Sequence, residues 1–398
     1  MSSLRIAVAG AGVGGLAVAA GLARAGHRIQ IFDRFQAPAP VGSGLVIQPV
    51  GQSVLQALGV LSDAQHLANP IRRMIGHEAN TGRRVLDVTY APRVGLGIHR
   101  AALFDILLKA AVAAGVVLQT GHEAQAVDGS FIRFADALPA GPFDLIVDAC
   151  GAGSPLSPMR SADLPYGALW ATIDWPAQTE LSQDHLRQVY RRADRMMGVL
   201  PIGREPGQTG QRTAIFWSLP RTAFDNWREA GLKAWREEAL QFWPEFQPFA
   251  DQIVDPDQFA MARYAHGTLR QVTAPGLAHI GDAAHRASPQ LGQGANMALL
   301  DALALIRALD RAESHVPVAL QWYGQARKWH VRSYQAISRL FTPQFQSDSR
   351  LQPWLRDRIL FPLSQVPPLP RILTRLVCGD LLAPMPSLDR DSFRRLSR

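Results

Sequence analysis

Gly281-Asp282-Ala283-Ala284-His285, followed by Pro289 and Gly292-Gln293-Gly294-Ala295-Asn296, decides the fold when set against Gly10-x-Gly12-x-x-Gly15 nearly three hundred residues earlier. The early glycines follow an apolar strand, Leu4 to Ala9, and open an Ala-rich helix, Leu16 to Ala25. Backbone N–H groups at such a helix start meet a pyrophosphate. Asp33 closes the next strand, Arg28 to Phe32, about 20 residues beyond the glycines, where a ribose hydroxyl is normally held. A lone GxGxxG is weak evidence. The late run adds an acid at a strand end, suited to a polyol chain, and a Gly-rich turn that starts a second helix, Ala295 to Leu309. One helix N-terminus for phosphate and another for a ring that becomes anionic together suit a flavin.

These residues resemble the class A FAD-dependent monooxygenases, the para-hydroxybenzoate hydroxylase-like aromatic hydroxylases, over roughly residues 5 to 339. The resemblance implies that Gly10, Gly12, Gly15 and Asp33, with Arg34 beside them, bind the AMP half of FAD. It implies that Gly42-Ser43-Gly44-Leu45 lines the isoalloxazine, that Arg100 in His99-Arg100-Ala101-Ala102-Leu103 reaches the cofactor, and that Asp282 binds the ribityl chain. Pro289, Gly292, Gln293 and Gly294 would form the catalytic surface against the flavin ring, with Ala295 and Asn296 just inside the helix and also holding the cofactor.

One departure stands out. The family's middle motif reads Asp-Gly after a strand, whereas Phe143-Asp144-Leu145-Ile146-Val147 here runs into Asp148-Ala149-Cys150-Gly151. In the family that acid helps bind FAD and is implicated in use of the nicotinamide donor, so Cys150 bears on donor affinity. Asp148 is expected on the same strand face as Cys150 but two residues back, about 6.5 Å away. Cys150 itself reads first as a small buried hydrophobe and second as a reactive thiol.

At 398 residues and 47% hydrophobic content, the chain can bury a large two-domain core. Two cysteines make no disulfide framework, and the N-terminus enters a strand without an apolar leader, so a cytoplasmic, reducing location is expected. No apolar run approaches a membrane span. The net charge of +8 is carried almost wholly by arginine, which suits anionic ligands; the arginines are interspersed with acids, which argues against nucleic acid. No histidine or cysteine spacing matches a metal site.

The expected fold is α/β: a Rossmann-like FAD-binding domain with an inserted β-sheet substrate domain and a helical C-terminal tail. Residues 1–71, 96–164 and 274–345 are assigned to the discontinuous FAD-binding domain, 72–95 and 165–273 to the substrate-binding domain, and 346–398 to the C-terminal extension. Further expected strands are Val116 to Thr120, Phe143 to Val147 and Gly276 to Ile280 around the cofactor, and Ala168 to Asp174, His185 to Arg192, Met196 to Pro201 and Arg212 to Leu219 in the insertion. Helices are expected at Ala101 to Ala114 and Ala223 to Phe242, with Gly26 and Gly115 as helix stops. In the tail, Leu351, Trp354, Leu355 and Ile359 share one helix face and Ile372, Leu373, Leu376 and Val377 another. Those faces pack on the chain's own body or a homodimer mate, or else make peripheral membrane contact or gate a greasy substrate.

The resemblance implies an FAD-dependent monooxygenase that uses NADH or NADPH and O2 to hydroxylate a small electron-rich aromatic or heteroaromatic substrate through a flavin C4a-hydroperoxide. The alternative on the same fold is an oxidase, reductase or halogenase with weak or partner-supplied flavin reduction. His285 reads as a positioning residue before a proton carrier, and any substrate-activating base is expected from the insertion or from Arg72 to Gly95. Tyr190, Trp217 and Tyr264 are aromatic candidates for the pocket, each also readable as sheet core.

Overall fold

Ile6, Ala7, Val8 and Ala9 are buried on both faces of their strand, the pattern of a parallel sheet covered on each side by helices. In the computed structural model, which describes residues 3–37 and 43–388, Val8 lies between Val147 on one side and Ile31 on the other, both in parallel register. The six-stranded sheet has the order Thr273–Ala274, Leu277–His279, Leu145–Asp148, Arg5–Ala9, Arg28–Phe32 and Val117–Gln119. Helix Val13–Arg24 buries Gly14 through Leu22 without interruption, because its run of Ala and Gly lets helix Gly294–Arg311 approach closely. A Cβ at Gly14 would stand 3.3 Å from that of Ala298, so a larger residue there would part the two helices. Each fully buried Leu or Ile at this seam contributes roughly 1.5–3 kcal/mol. Gly26, at φ +93, ends the first helix: its N–H bonds Ala23 O and that of His27 bonds Leu22 O, satisfying carbonyls the last turn leaves open.

A second, eight-stranded sheet has the order His285–Arg286, Ala260–Thr268, Ser161–Asp174, Arg212–Pro220, Arg195–Gly203, His185–Arg191, Arg73–Glu78 and Arg84–Thr89. It is antiparallel except where Arg73–Glu78 runs parallel to His185–Arg191. Period-2 alternation gives it two working faces. Leu169, Ala171, Val199, Ile215 and Trp217 point to one side and pack on helix Phe224–Phe242 and the aromatic segment after it. Trp170, Leu200, Ile202 and Phe216 point to the other, toward the three-stranded sheet of Gly44–Ile47, Gly95–His99 and Asn69–Ile71. That second face roofs the cleft described below.

The expected strands and helices occur with ends displaced by a few residues; Phe143 to Val147 becomes Leu145–Asp148, and Ala168 to Asp174 lengthens to Ser161–Asp174. Helix Phe224–Phe242 is broken at Gly231, whose φ of +77 only glycine adopts easily. Sequence periodicity missed strand Ala260–Thr268, whose burial alternates poorly, and helix Val316–Phe345, whose Pro317 and Pro343 look like breakers. Pro317 sits in the first turn, where its missing N–H costs nothing. The tail is helical in Leu351–Leu355, Phe361–Ser364 and Leu369–Cys378, but own-body packing fails for its first face: Leu351, Trp354, Leu355 and Ile359 are all exposed, while Pro353 and Arg356 turn inward. No described helix is long and apolar enough to cross a membrane.

Candidate functional site

The first glycine turn is dictated by backbone crowding. Gly10 has φ +105, and a Cβ there would lie 2.4 Å from Ala149 O; a Cβ at Gly15 would lie 1.9 Å from Gly10 O. At Gly12, the N-cap of helix Val13–Arg24, a Cβ would meet nothing within 4 Å, and the helix start has neither a side-chain cap nor an acid in its first turn. An open cradle beneath uncapped N–H groups fits a phosphate. Asp33 borders it: Oδ2 accepts from Ala11 N at 2.6 Å and Oδ1 from Phe35 N at 3.0 Å. Arg34 is exposed and stacks its guanidinium over Phe35, 5.1 Å from the ring centroid.

The middle motif differs from the expected geometry. Strand Leu145–Asp148 ends before Cys150, which has helical φ/ψ at the head of a short 3-10 turn, so the two residues share no strand face. Asp148 is fully buried and occupied: Oδ1 accepts from Cys150 N and Ser154 Oγ, and Oδ2 pairs with His279 Nδ1 at 2.7 Å. Cys150 Sγ bonds Ala9 O at 3.4 Å, and burial, reinforced by Asp148, pushes its thiol far above the usual range. A neutral thiol is a poor nucleophile, which favours the packing reading.

The second glycine turn is held by side chains. Gly292 has φ +59 and follows the 3-10 turn Pro289–Leu291, with its N–H bonded to Pro289 O. Helix Gly294–Arg311 starts uncapped and without an acid in its first turn, and nothing stands within 4 Å of a Cβ at Gly294. Two side chains of this turn point into protein. Asn296 is completely buried and its side chain braces protein: Oδ1 accepts from Gln48 N, while Nδ2 donates to Val46 O and Gly292 O, leaving only its backbone for a cofactor. Gln293 turns its Nε2 to Val377 O in the tail, while its Oε1 is buried without a hydrogen-bond partner beside the cavity that Asp282, His285 and Gly294 also line.

Behind this turn lies a buried network that sequence reading missed. Asp301 Oδ2 accepts from Gly281 N at 2.9 Å and His285 Nε2 at 2.6 Å, while Oδ1 accepts from Arg327 Nε at 2.7 Å. Burial raises the Asp301 pKa, but His285 and Arg327 outweigh it and bring it down to about 2. Arg327 also donates to His330 Nδ1, and His330 Nε2 to Gly379 O. Burial and Arg327 lower the His330 pKa to about 4. His285 Nε2 is thereby fixed on Asp301. The available signal was a lone acid, Asp301, inside the otherwise apolar Met297-to-Ile306 run.

The turns converge on one cleft. Ala298 touches both Gly14 of the first helix and Gly281, the neighbour of Asp282; their Cβ positions would lie 3.3 and 3.0 Å from Ala298 Cβ. Asp282 is open to solvent yet crowded by protein, and burial pushes its carboxyl up against the pull of His285, Arg100 and Arg286. Arg100 is similarly accessible but walled in; burial lowers its pKa, and Asp282 and Tyr264 oppose that. Its N–H bonds Ser43 O, tying it to the strand in which Gly44 opposes His99 and Leu45 opposes Ile98. A Cβ at Gly44 would lie 2.3 Å from Ile202 Cγ2, so the roof presses directly on this strand; Gly42 lies outside the described residues. In the roof, Trp170 Nε1 donates to the Tyr264 hydroxyl at 2.9 Å, and burial raises the Tyr264 pKa to about 12. The other two aromatic candidates are core: Trp217 packs with Trp235 and Phe242 on the far face, and Tyr190 with Phe345.

The FAD binding domain family model matches residues 3–131 and 165–342. Among curated proteins, the chain is 27% identical over 380 residues to the aurachin C monooxygenase/isomerase of Stigmatella aurantiaca, covering 90% of this chain and 94% of the relative. It is 28% identical over 360 residues to a putative 2-heptyl-3-hydroxy-4(1H)-quinolone synthase of Rhodococcus erythropolis, covering 80% and 83%. Of solved structures, Klebsiella pneumoniae HpxO complexed with FAD and uric acid superposes with a TM-score of 0.81 at 18% identity, covering 96% of this chain and 97% of that one. 2-Methyl-3-hydroxypyridine-5-carboxylic acid oxygenase gives 0.76 at 21% identity, with 92% and 99% covered. Likeness at these identities speaks for the fold, while the family match spans most of the sequence and both glycine turns. The chain belongs to the FAD binding domain family, among the class A FAD-dependent monooxygenases.

Proposed function

We propose that this flavoprotein uses NADH or NADPH and O2 to hydroxylate a small, planar, electron-rich heteroaromatic compound, with 2-alkyl-4-quinolones as the first class to test. The observation that carries the reading is the meeting of Gly14 and Gly281 on Ala298, which brings two uncapped helix N-termini to one cleft under an aromatic roof. The relatives' quinolone and aurachin names support the substrate class.

The residues fit FAD without rearrangement of the cradle. Main-chain N–H groups from Val13 to Gly15 would take the pyrophosphate, Asp33 a ribose hydroxyl and Asp282 the ribityl chain, while Gly294 and Ala295 would direct N–H groups at the ring. Bound FAD supplies hydride acceptance from the nicotinamide and activation of O2 for transfer of one oxygen atom. The balance is one ring C–H, O2, NAD(P)H and a proton giving C–OH, NAD(P)+ and water. Tyr264 stays protonated, accepts from Trp170 and keeps its own O–H free to donate to a substrate oxygen, so it orients the ring rather than acting as a base. Trp170, Phe216 and Ile202 exclude water from the cleft. The substrate-binding role of the eight-stranded sheet, and the division of the chain into cofactor and substrate domains with a tail, belong to the same proposal.

The test is to supply purified holoprotein with NADH or NADPH, 18O2 and a panel of alkylquinolones, phenols and urate. Stimulated nicotinamide consumption with one labelled oxygen in the product is expected. Consumption that yields only hydrogen peroxide for every compound would refute the hydroxylase reading.

A second reading, partner-supplied reduction, is favoured by the uncharged, backbone-bonded Cys150 in place of the family acid. If Cys150 limits donor use, Cys150→Asp speeds anaerobic reduction by NAD(P)H; an unchanged or slower rate removes that explanation.

A further inference from the structure

Of the seventeen large hydrophobic side chains exposed among the described residues, eight fall between 351 and 372: Leu351, Trp354, Leu355, Ile359, Leu360, Leu363, Val366 and Ile372, each 37% to 69% exposed. Such crowding within one segment is unlike the singly scattered exposed apolar residues of an ordinary surface. Its charge is one-sided. From 350 to 376 the sequence holds five arginines and a single acid, Asp357, and that acid is already bonded to the buried Arg356.

At the edge of the patch, Arg350, Arg358 and Trp354 of the tail line a surface cavity together with Arg83 and Arg192 from the eight-stranded sheet. None of these four arginines belongs to an ion pair seen among the described residues. Of the cavity's two acids, Asp357 pairs with Arg356, while Glu78 accepts from Asn80 and Thr81 and belongs to no ion pair seen among the described residues, so arginines outnumber acids four to two. Arg192 is held at φ +52, and its carbonyl accepts from Arg356 Nη2, which pins the hairpin turn to the tail.

We propose that residues 350–372 dock this protein on an anionic lipid bilayer, the apolar side chains entering the interface and the arginine-lined cavity taking a lipid phosphate. Interfacial elements combine an apolar face with Trp and Leu and a rim of basic residues, and arginines beside a surface of anionic lipids add attraction that salt screens. A two-fold dimer is the competing occupant, and charge speaks against it: an isologous contact sets the patch on its own copy, bringing together four arginines from each side with Glu78 as the one cavity acid outside an ion pair. The proposal is independent of the reading of the flavin cleft and would survive if the substrate were another ring.

The test sediments the full-length holoprotein with phosphatidylcholine vesicles and with vesicles also containing phosphatidylglycerol, reading the yellow flavin in the pellet. Binding to the anionic vesicles about tenfold or more tighter than to the neutral ones, weakened by salt, is expected. Arg358→Glu and Leu363→Asp should each remove most of it, with flavin absorbance and far-UV circular dichroism unchanged. Absence of pelleting with either vesicle overturns the proposal. So does equal binding to both, full displacement by inorganic phosphate at matched concentration, or a stable dimer that Leu363→Asp splits and that ignores vesicles.

Discussion

The two glycine turns reach the same cleft by opposite means. The turn at Gly10 to Gly15 is shaped by its own backbone, with Ala149 O and Gly10 O standing where any side chain would have to go. The turn at Pro289 to Asn296 has room at Gly294 and is held by residues drawn from elsewhere: Asn296 to Gln48 and Val46, Gln293 to Val377, and the Asp301 network to Gly281, His285 and Arg327. The contrast teaches that a cofactor cradle built from local sterics announces itself in sequence, whereas one built from distant side chains does not.

The largest effect should come from the crowded turn. Gly15→Val is expected to abolish FAD retention, giving colourless protein after purification; a variant that keeps stoichiometric flavin would show that the crowding is dispensable. Next, Asp301→Asn strikes the braced turn. Removing one charge from a buried pair costs about 3–5 kcal/mol, so the urea midpoint should fall sharply and FAD affinity with it. If stability drops but FAD affinity does not, the network supports the core and not the turn. Asn296→Ala, which strands Gln48 N–H and two carbonyls, should cost a smaller ~1–3 kcal/mol by the same measurements.

Acid should separate the two turns as well. The folded His330 pKa lies near 4, below the unfolded value of 6.5, so the folded state binds fewer protons between these limits. Stability from this group is complete above 6.5 and drains away as pH falls toward 4. Asp301, folded near 2 against an ordinary 3.8, adds a loss that starts lower and ends near 2. Urea midpoints should therefore decline from neutrality toward pH 4, and His330→Asn should flatten that decline. An unaltered slope would exonerate His330. The smallest expected change is at the roof: Tyr264→Phe should raise KM by roughly two- to tenfold, one hydrogen bond's worth, with FAD binding untouched. An unchanged KM would remove Tyr264 from the substrate.

Much of the cofactor fold was legible in the sequence because parallel strands buried on both faces leave unbroken Val/Ile/Ala runs, and because positive φ demands glycine. The cleft was only half legible. Asp33, Asp282 and Arg100 stand at or beside the cleft, whereas the Asn296 side chain bonds protein: a side-chain amide reads identically whether it faces a ligand or a carbonyl. Asp301 needs partners from two separate segments, residues 281–285 and Arg327, which spacing does not reveal. Tyr264 lies on a strand, Ala260–Thr268, whose Arg, His and Gly residues blur its period. The tail's first helical face resembled a packing stripe, and only its exposure distinguishes it.

Three carbonyls near the end of the described residues carry a practical consequence. Val377 O receives Gln293, Gly379 O receives His330 and Pro384 O receives Arg327. Trimming the gene before these positions, or nicking the product with a protease nearby, would take away acceptors that hold the Pro289-to-Asn296 turn and the network behind it, so bleaching should accompany loss of the terminus. Whatever grips residues 351–372 also holds one end of that tether.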